Sequence, residues 1–85
     1  MAGSWPSWWD WELELTPHLL RRMRDRGFSE TELRLMLERA TGYHSDVEAG
    51  RYVIETDHEE RPWAVIVEPE LVEKVLIVVT AYPVD

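Results

Sequence analysis

The tightest constraint on the fold is the run Val75-Leu76-Ile77-Val78-Val79-Thr80-Ala81-Tyr82, closed by Pro83. Its first five residues are aliphatic and mostly β-branched. Their stiff χ1 rotamers suit a pleated backbone and disfavour a helix. Apolar and polar residues do not alternate here, so neither face is meant for open water and the run reads as a central strand. Regular alternation puts Val75, Ile77, Val79 and Ala81 on one face, and Leu76, Val78, Thr80 and Tyr82 on the other. Thr80 and Tyr82 then stand side by side at one rim of a sheet. They form either the wall of a site or the edge of a core, with the Tyr82 ring as lid and its hydroxyl in water.

The rest of the chain supplies partners for that strand. Glu12-Leu13-Glu14-Leu15 alternates at period two, as a short edge strand does. Thr16-Pro17 opens a helix, with Thr as N-cap and Pro where no amide donor is missed, running to about Arg26 and stopping at Gly27. Leu19, Leu20 and Met23 form its buried stripe, leaving His18, Arg21, Arg22 and Asp25 outside. Ser29 followed by Glu32 is a capping-box spacing, and Leu33, Met36, Leu37 and Ala40 mark the core face of a second helix, ended by Gly42. Tyr43 to Gly50 reads as a polar connection. Arg51 to Asp57 and Trp63 to Glu68 alternate as strands around a charged turn, His58-Glu59-Glu60-Arg61. Pro69 to Lys74 reads as a helical turn leading into the last strand. These elements predict an α+β fold: an N-terminal helix hairpin, linked only by Gly27-Phe28, packed on a small antiparallel sheet of three to four strands.

Residues 1–11 stand apart from this plan, with Trp5, Trp8, Trp9 and Trp11 within seven positions. Indoles are costly to leave in water. The division expected is a Trp-rich arm at residues 1–11 and one domain at 12–85. The arm either folds back over that domain or docks on another copy or another protein.

With 85 residues and 45% hydrophobic residues the chain suits one small domain. It has no Cys, which excludes disulfides and thiolate metal sites and fits a reducing cytoplasm. No apolar run approaches the ~20 residues of a membrane helix, and no signal-like start is visible. The expectation is therefore a soluble, cytoplasmic domain without membrane contact. The net charge of −8 opposes casual binding of phosphate backbones. Its distribution is uneven: residues 17–40 hold six Arg against four acids (+2), and the remainder holds three basic against thirteen acidic side chains (−10). An anion would have to meet the first helix.

His18, His44 and His58 lack ligand-pair spacing, so no metal site and no cofactor is expected. No Gly-rich phosphate loop or nucleophile elbow is present. What remains is His18 with Arg22 and either Arg21 or Arg26 on the first helix, and Thr80 with Tyr82 on the last strand. Metal-independent RNA cleavage needs a base, an acid and cations for developing charge, and this set could supply them if the helix faces the strand across a groove. The plainer reading leaves His18 as an exposed first-turn residue and the arginines as partners of surface acids.

The run from Pro17 to Phe28, with His18, Arg22-Met23 and Arg26-Gly27, resembles the opening helix of a family of small bacterial domains of unknown function. Gly50 to Ile54 and Trp63 to Pro69 resemble its middle strands, and Val78 to Pro83 its closing strand. That family resembles in turn the barnase–EndoU–colicin–RelE-like superfamily, mostly metal-independent ribonucleases acting as toxins. The resemblance covers about residues 12–84 and implies a RelE/barnase-like fold. It marks His18, Arg22, Arg26, Glu68, Thr80 and Tyr82 as polar site positions. On that basis His18 is the expected base, Arg22 and Arg26 the phosphate cations, Tyr82 a proton donor or substrate orienter, Thr80 a hydrogen-bonding support, and Glu68 a further catalytic-site residue. RNA and a cognate antitoxin are the partners implied. The competing expectation is a non-catalytic module of the same fold that binds itself or a partner through Trp5, Trp8, Trp9 and Trp11.

Overall fold

A computed structural model describes residues 5–84. In chain order the elements are β1 (Glu12–Leu15), α1 (Pro17–Arg26), α2 (Glu30–Glu38), β2 (Gly42–Ser45), β3 (Tyr52–His58), β4 (Arg61–Glu70) and β5 (Val75–Pro83). The strands form one five-stranded sheet in the order β1-β5-β4-β3-β2. Pairing is antiparallel from β2 through β5, and β1 joins β5 in parallel.

This corrects the expected architecture in two ways. The sheet is mixed and five-stranded, not a purely antiparallel sheet of three to four strands. Gly42–Ser45, read as the end of a helix and the start of a polar connection, is its fifth strand. The helices are also not a packed hairpin. α1 rests against β5 and α2 against β3, so each covers its own strands on one face of the sheet. The short link through Gly27 turns the chain between two docking sites rather than closing a helix pair. Gly27 itself sits at φ 75°, the left-handed conformation that ends α1.

The local signals behind both helices hold. Thr16 Oγ1 accepts from the Leu19 amide at 3.1 Å. Ser29 and Glu32 close a reciprocal capping box, at 3.2 Å and 2.8 Å. Leu19, Met23, Leu33 and Met36 pack with Ile54, Val65, Val67, Leu76 and Val78 into the core between the layers.

The central strand breaks its own alternation. Ile66 pairs with Thr80 and Val67 with Val78, so Val79 is an extra residue in a β-bulge. Leu76 and Val78 face the helices before the bulge, and Ala81 does so after it, all three buried. Thr80 and Tyr82 are thereby moved to the face that carries no helix, opposite to where regular alternation puts them. Thr16 anchors this irregularity: its Oγ1 donates to the Val79 carbonyl at 2.8 Å, and its amide to the Val78 carbonyl at 3.3 Å.

Of the two fates open to the Trp-rich arm, the described part folds back. Trp8 is buried, 5.0 Å from the Tyr52 ring and edge-on to Tyr43, and Trp5 stacks on Trp9 at 4.4 Å. Trp9 and Trp11 are partly buried against the same core. Residues 1–4 of the arm, and Asp85, lie outside the described residues. Because Trp8 is a core residue, Trp8→Ala is expected to lower unfolding free energy by about 3 kcal/mol. Urea denaturation measures this, and an unchanged midpoint would mean that the arm is only draped on the surface.

Candidate functional site

Two surfaces carry chemistry, and the sheet separates them. The first is the outer face of α1. With 3.6 residues per turn, His18, Arg21, Arg22, Asp25 and Arg26 fall along one side, where they line a shallow groove of about 350 Å³. The first turn of α1 holds no acidic residue, so nothing offsets its positive dipole end. The arginines here behave differently from those elsewhere. Arg34 pairs with Glu30 at 3.0 Å, Arg39 with Asp57 at 3.1 Å and Arg51 with Glu68 at 3.0 Å. Among the described residues Arg21, Arg22, Arg24 and Arg26 make no ion pair; Arg26 lies 6.0 Å above the Trp63 ring. Against Asp25, those four give α1 a charge of +3, leaving −11 for the rest of a chain of −8.

The second surface is the sheet face without helices. Register fixes its contents row by row. One row across four strands is Gly42, Glu55, Ala64, Tyr82, and the next is His44, Val53, Ile66, Thr80. Small Ala64 lies low between Glu55 and Tyr82, and a basin of about 500 Å³ opens over it. His44 Nδ1 is 3.1 Å from Glu55 Oε2 on the basin wall. Both side chains are 57% exposed, so the pair is a surface one.

The sequence-predicted residues therefore divide. His18, Arg22 and Arg26 come together on α1. Thr80, Tyr82 and Glu68 belong to the opposite sheet face, where Glu68 is engaged by Arg51 and the Thr80 hydroxyl is buried without a hydrogen-bond partner. His18 and Tyr82 line different hollows, and no hydrogen bond or ring contact links them. The bulge at Val79 is the physical reason, because it turns Tyr82 away from the helical layer. The imidazole that does share a hollow with Tyr82 is His44. Sequence reasoning passed over His44 and Glu55 because Tyr43 to Gly50 reads as polar connection. The usable signal was Gly42-Tyr43-His44-Ser45 itself, four residues long enough to pair as an edge strand beside an alternating one.

No group of three or more potential metal ligands is found among the described residues, and no helix among them is long and apolar enough to cross a membrane. The fold and these surfaces define a small α+β domain with one basic helix on an acidic body. Residues 15–85 match the family described as domain of unknown function DUF4258, and the chain belongs to that family. No curated protein and no solved structure matches the chain.

Exposed ion pairs contribute ~1 kcal/mol or less. His44→Ala and Glu55→Gln are accordingly expected to shift unfolding free energy by less than ~1 kcal/mol each. A double-mutant cycle giving a coupling well above that would make the pair a structural element of the β2–β3 edge.

Proposed function

We propose that this domain engages RNA through α1, with Arg22 and Arg26 on backbone phosphates, and that His18 is its proton-transfer group in cleavage of the RNA. The observation that carries this reading is the set of four arginines that make no ion pair among the described residues of so acidic a chain. A neutral imidazole at position 18 would take the 2′-hydroxyl proton, the freed oxygen would attack the adjacent phosphorus, and the leaving 5′-oxygen would take a proton from the resulting imidazolium or from water. The guanidinium groups one and two turns on would stabilise charge developing on the phosphate oxygens. Tyr82 has no place in this step, since it stands on the other face of the sheet. This is the finer reading that fits the resemblance to metal-independent ribonucleases.

The acidic exterior does not forbid it. At physiological salt the Debye length is about 8 Å, while at 0.01 M it is about 30 Å. The molecule measures 31 × 28 × 25 Å. A phosphate on α1 in physiological salt is therefore screened from most of the carboxylates on the far sheet face, but in very dilute salt it meets the full net charge.

The test is fluorescence anisotropy with a single-stranded RNA across salt concentrations, beside RNA digestion in EDTA. Affinity is expected to rise from ~0.01 M to ~0.15 M salt before falling at higher salt. Arg22→Ala/Arg26→Ala should weaken binding about tenfold or more. His18→Ala should leave binding nearly unchanged and slow cleavage by ~10²-fold or more. Unaltered affinity in the double arginine variant would remove the interface, and unaltered cleavage in His18→Ala would remove the catalytic assignment alone.

A further inference from the structure

The basin on the helix-free sheet face is unused by the function proposed above, and it differs from α1 in charge, depth and chemistry. Its floor and sides are apolar, from Val53, Ala64 and Val84. Its polar groups converge from three strands: His44 of β2, Glu55 of β3 and Tyr82 of β5. Adjacent strands are about 4.8 Å apart, so Glu55 and Tyr82 face each other across roughly 10 Å with only the Ala64 methyl group between them. That spacing admits one slender organic group lying across the sheet.

The hydrogen-bonding capacity of the wall points one way. His44 Nδ1 stands 3.1 Å from Glu55 Oε2, so imidazole and carboxylate adjoin on one wall of the basin. Glu55 Oε1 takes no hydrogen bond among the described residues. It also has free space beside it, because Gly42 lacks a side chain and a Cβ there would stand 3.5 Å from that oxygen. The Tyr82 hydroxyl likewise has no partner. The basin thus presents acceptors, one of them a carboxylate, above an apolar floor. The one carboxylate in the basin wall is that of Glu55; Glu12, Glu14 and Glu70 share this face but stand toward its far end, where they pair with Val75 and Ile77. An anionic ligand is repelled and a neutral donor gains little. A cation rich in N–H donors on an apolar stem matches every feature.

We propose that this basin is a binding site for a guanidinium or primary ammonium group on a short aliphatic stem, held by Glu55 and His44 with its stem lying over Ala64 toward Tyr82. The charged head would form a charge-assisted hydrogen bond to Glu55 Oε1, the strong kind, and the methylene groups would cover Val53 and Ala64. Glu55 is the specificity-determining residue, and His44 stands beside it. The same chemistry is offered by a free diamine-type metabolite and by an arginine side chain of another protein.

The experiment is titration of the intact chain, followed by NMR or calorimetry, with agmatine as the free cation and with acetyl-Gly-Arg-Gly-amide as the chain-borne one. The uncharged isostere acetyl-Gly-citrulline-Gly-amide is the control. Saturable binding of agmatine or of the arginine peptide, with shifts centred on Val53, Ala64 and Tyr82, is expected, and the citrulline peptide should bind at least tenfold more weakly. The tighter of the two cations identifies the source. Glu55→Gln, which keeps the shape, should weaken binding ~10-fold or more. Ala64→Leu, which fills the floor, should do the same, while Glu38→Gln on α2 should change nothing. Absence of saturation by both cations, or equal binding by Glu55→Gln, would overturn the proposal. RNA affinity measured on Glu55→Gln should remain that of the parent chain, so failure here and failure at α1 are separately visible.

Discussion

The structure turns on one side chain. Thr16 follows β1 and caps α1, and its hydroxyl both receives the Leu19 amide and holds the carbonyl of the bulge residue Val79. A bulge leaves its extra residue outside the ladder, so its backbone groups need other partners. Thr16 meets that need and joins the first strand, the first helix and the central strand at one point. Everything distinctive about the molecule lies downstream of this junction. The parallel β1–β5 pair ends there, α1 departs along β5 from there, and the face of Thr80 and Tyr82 is decided there.

The molecule is two-sided in charge as well as in architecture. Arginines that make no ion pair among the described residues collect on the outer side of the helical layer, and the carboxylates of β1, β3 and β4 collect on the bare sheet. The Val79 insertion decides only the faces of the β5 residues after it: without it, Tyr82 would point into the helical layer and Ala81 out to the bare face. The small side chain of Ala81 under α1 and the exposed phenol of Tyr82 are thus the two halves of one geometric event. Tyr82 is 36% exposed, whereas Ala81 is fully buried.

Much of the fold was legible. The caps at Thr16 and Ser29, the strands around the Glu59-Glu60 turn and the parentage of the central strand all follow from local chemistry. What local chemistry does not encode is pairing across long sequence distance. Nothing in Glu12 to Leu15 announces that it joins β5, sixty residues away, in parallel. β2 escaped because four polar or small residues carry no hydrophobic alternation, and their pairing with β3 is decided by Ile54 and Val53 instead. The bulge is invisible for a related reason: five successive aliphatic residues are apolar in either phase, so the run does not reveal where its register slips. The basic groove on α1 was therefore readable, being a matter of helical spacing within one element. The acidic basin was not, because its three walls come from three strands whose register had to be known first.

The two helices show how far α1 departs from what stability alone would favour. In α2, Glu30 and Arg34 stand four apart in the favourable order and form an ion pair, and two acids occupy the first turn. In α1, His18, Arg22 and Arg26 stack at the same spacing with like or no charge between them, and Arg22 against Arg26 costs a few tenths of a kcal/mol where a Glu would gain as much. The first turn offers no acid to its positive end. Both helices are capped, both bury two core residues, and both lie on the same sheet, so the contrast is not a consequence of the fold. Among the described residues no acidic side chain stands within ion-pair reach of these arginines, which leaves them available to an external anion. Sites where a sequence breaks the local rules it follows elsewhere are where function is expected to reside.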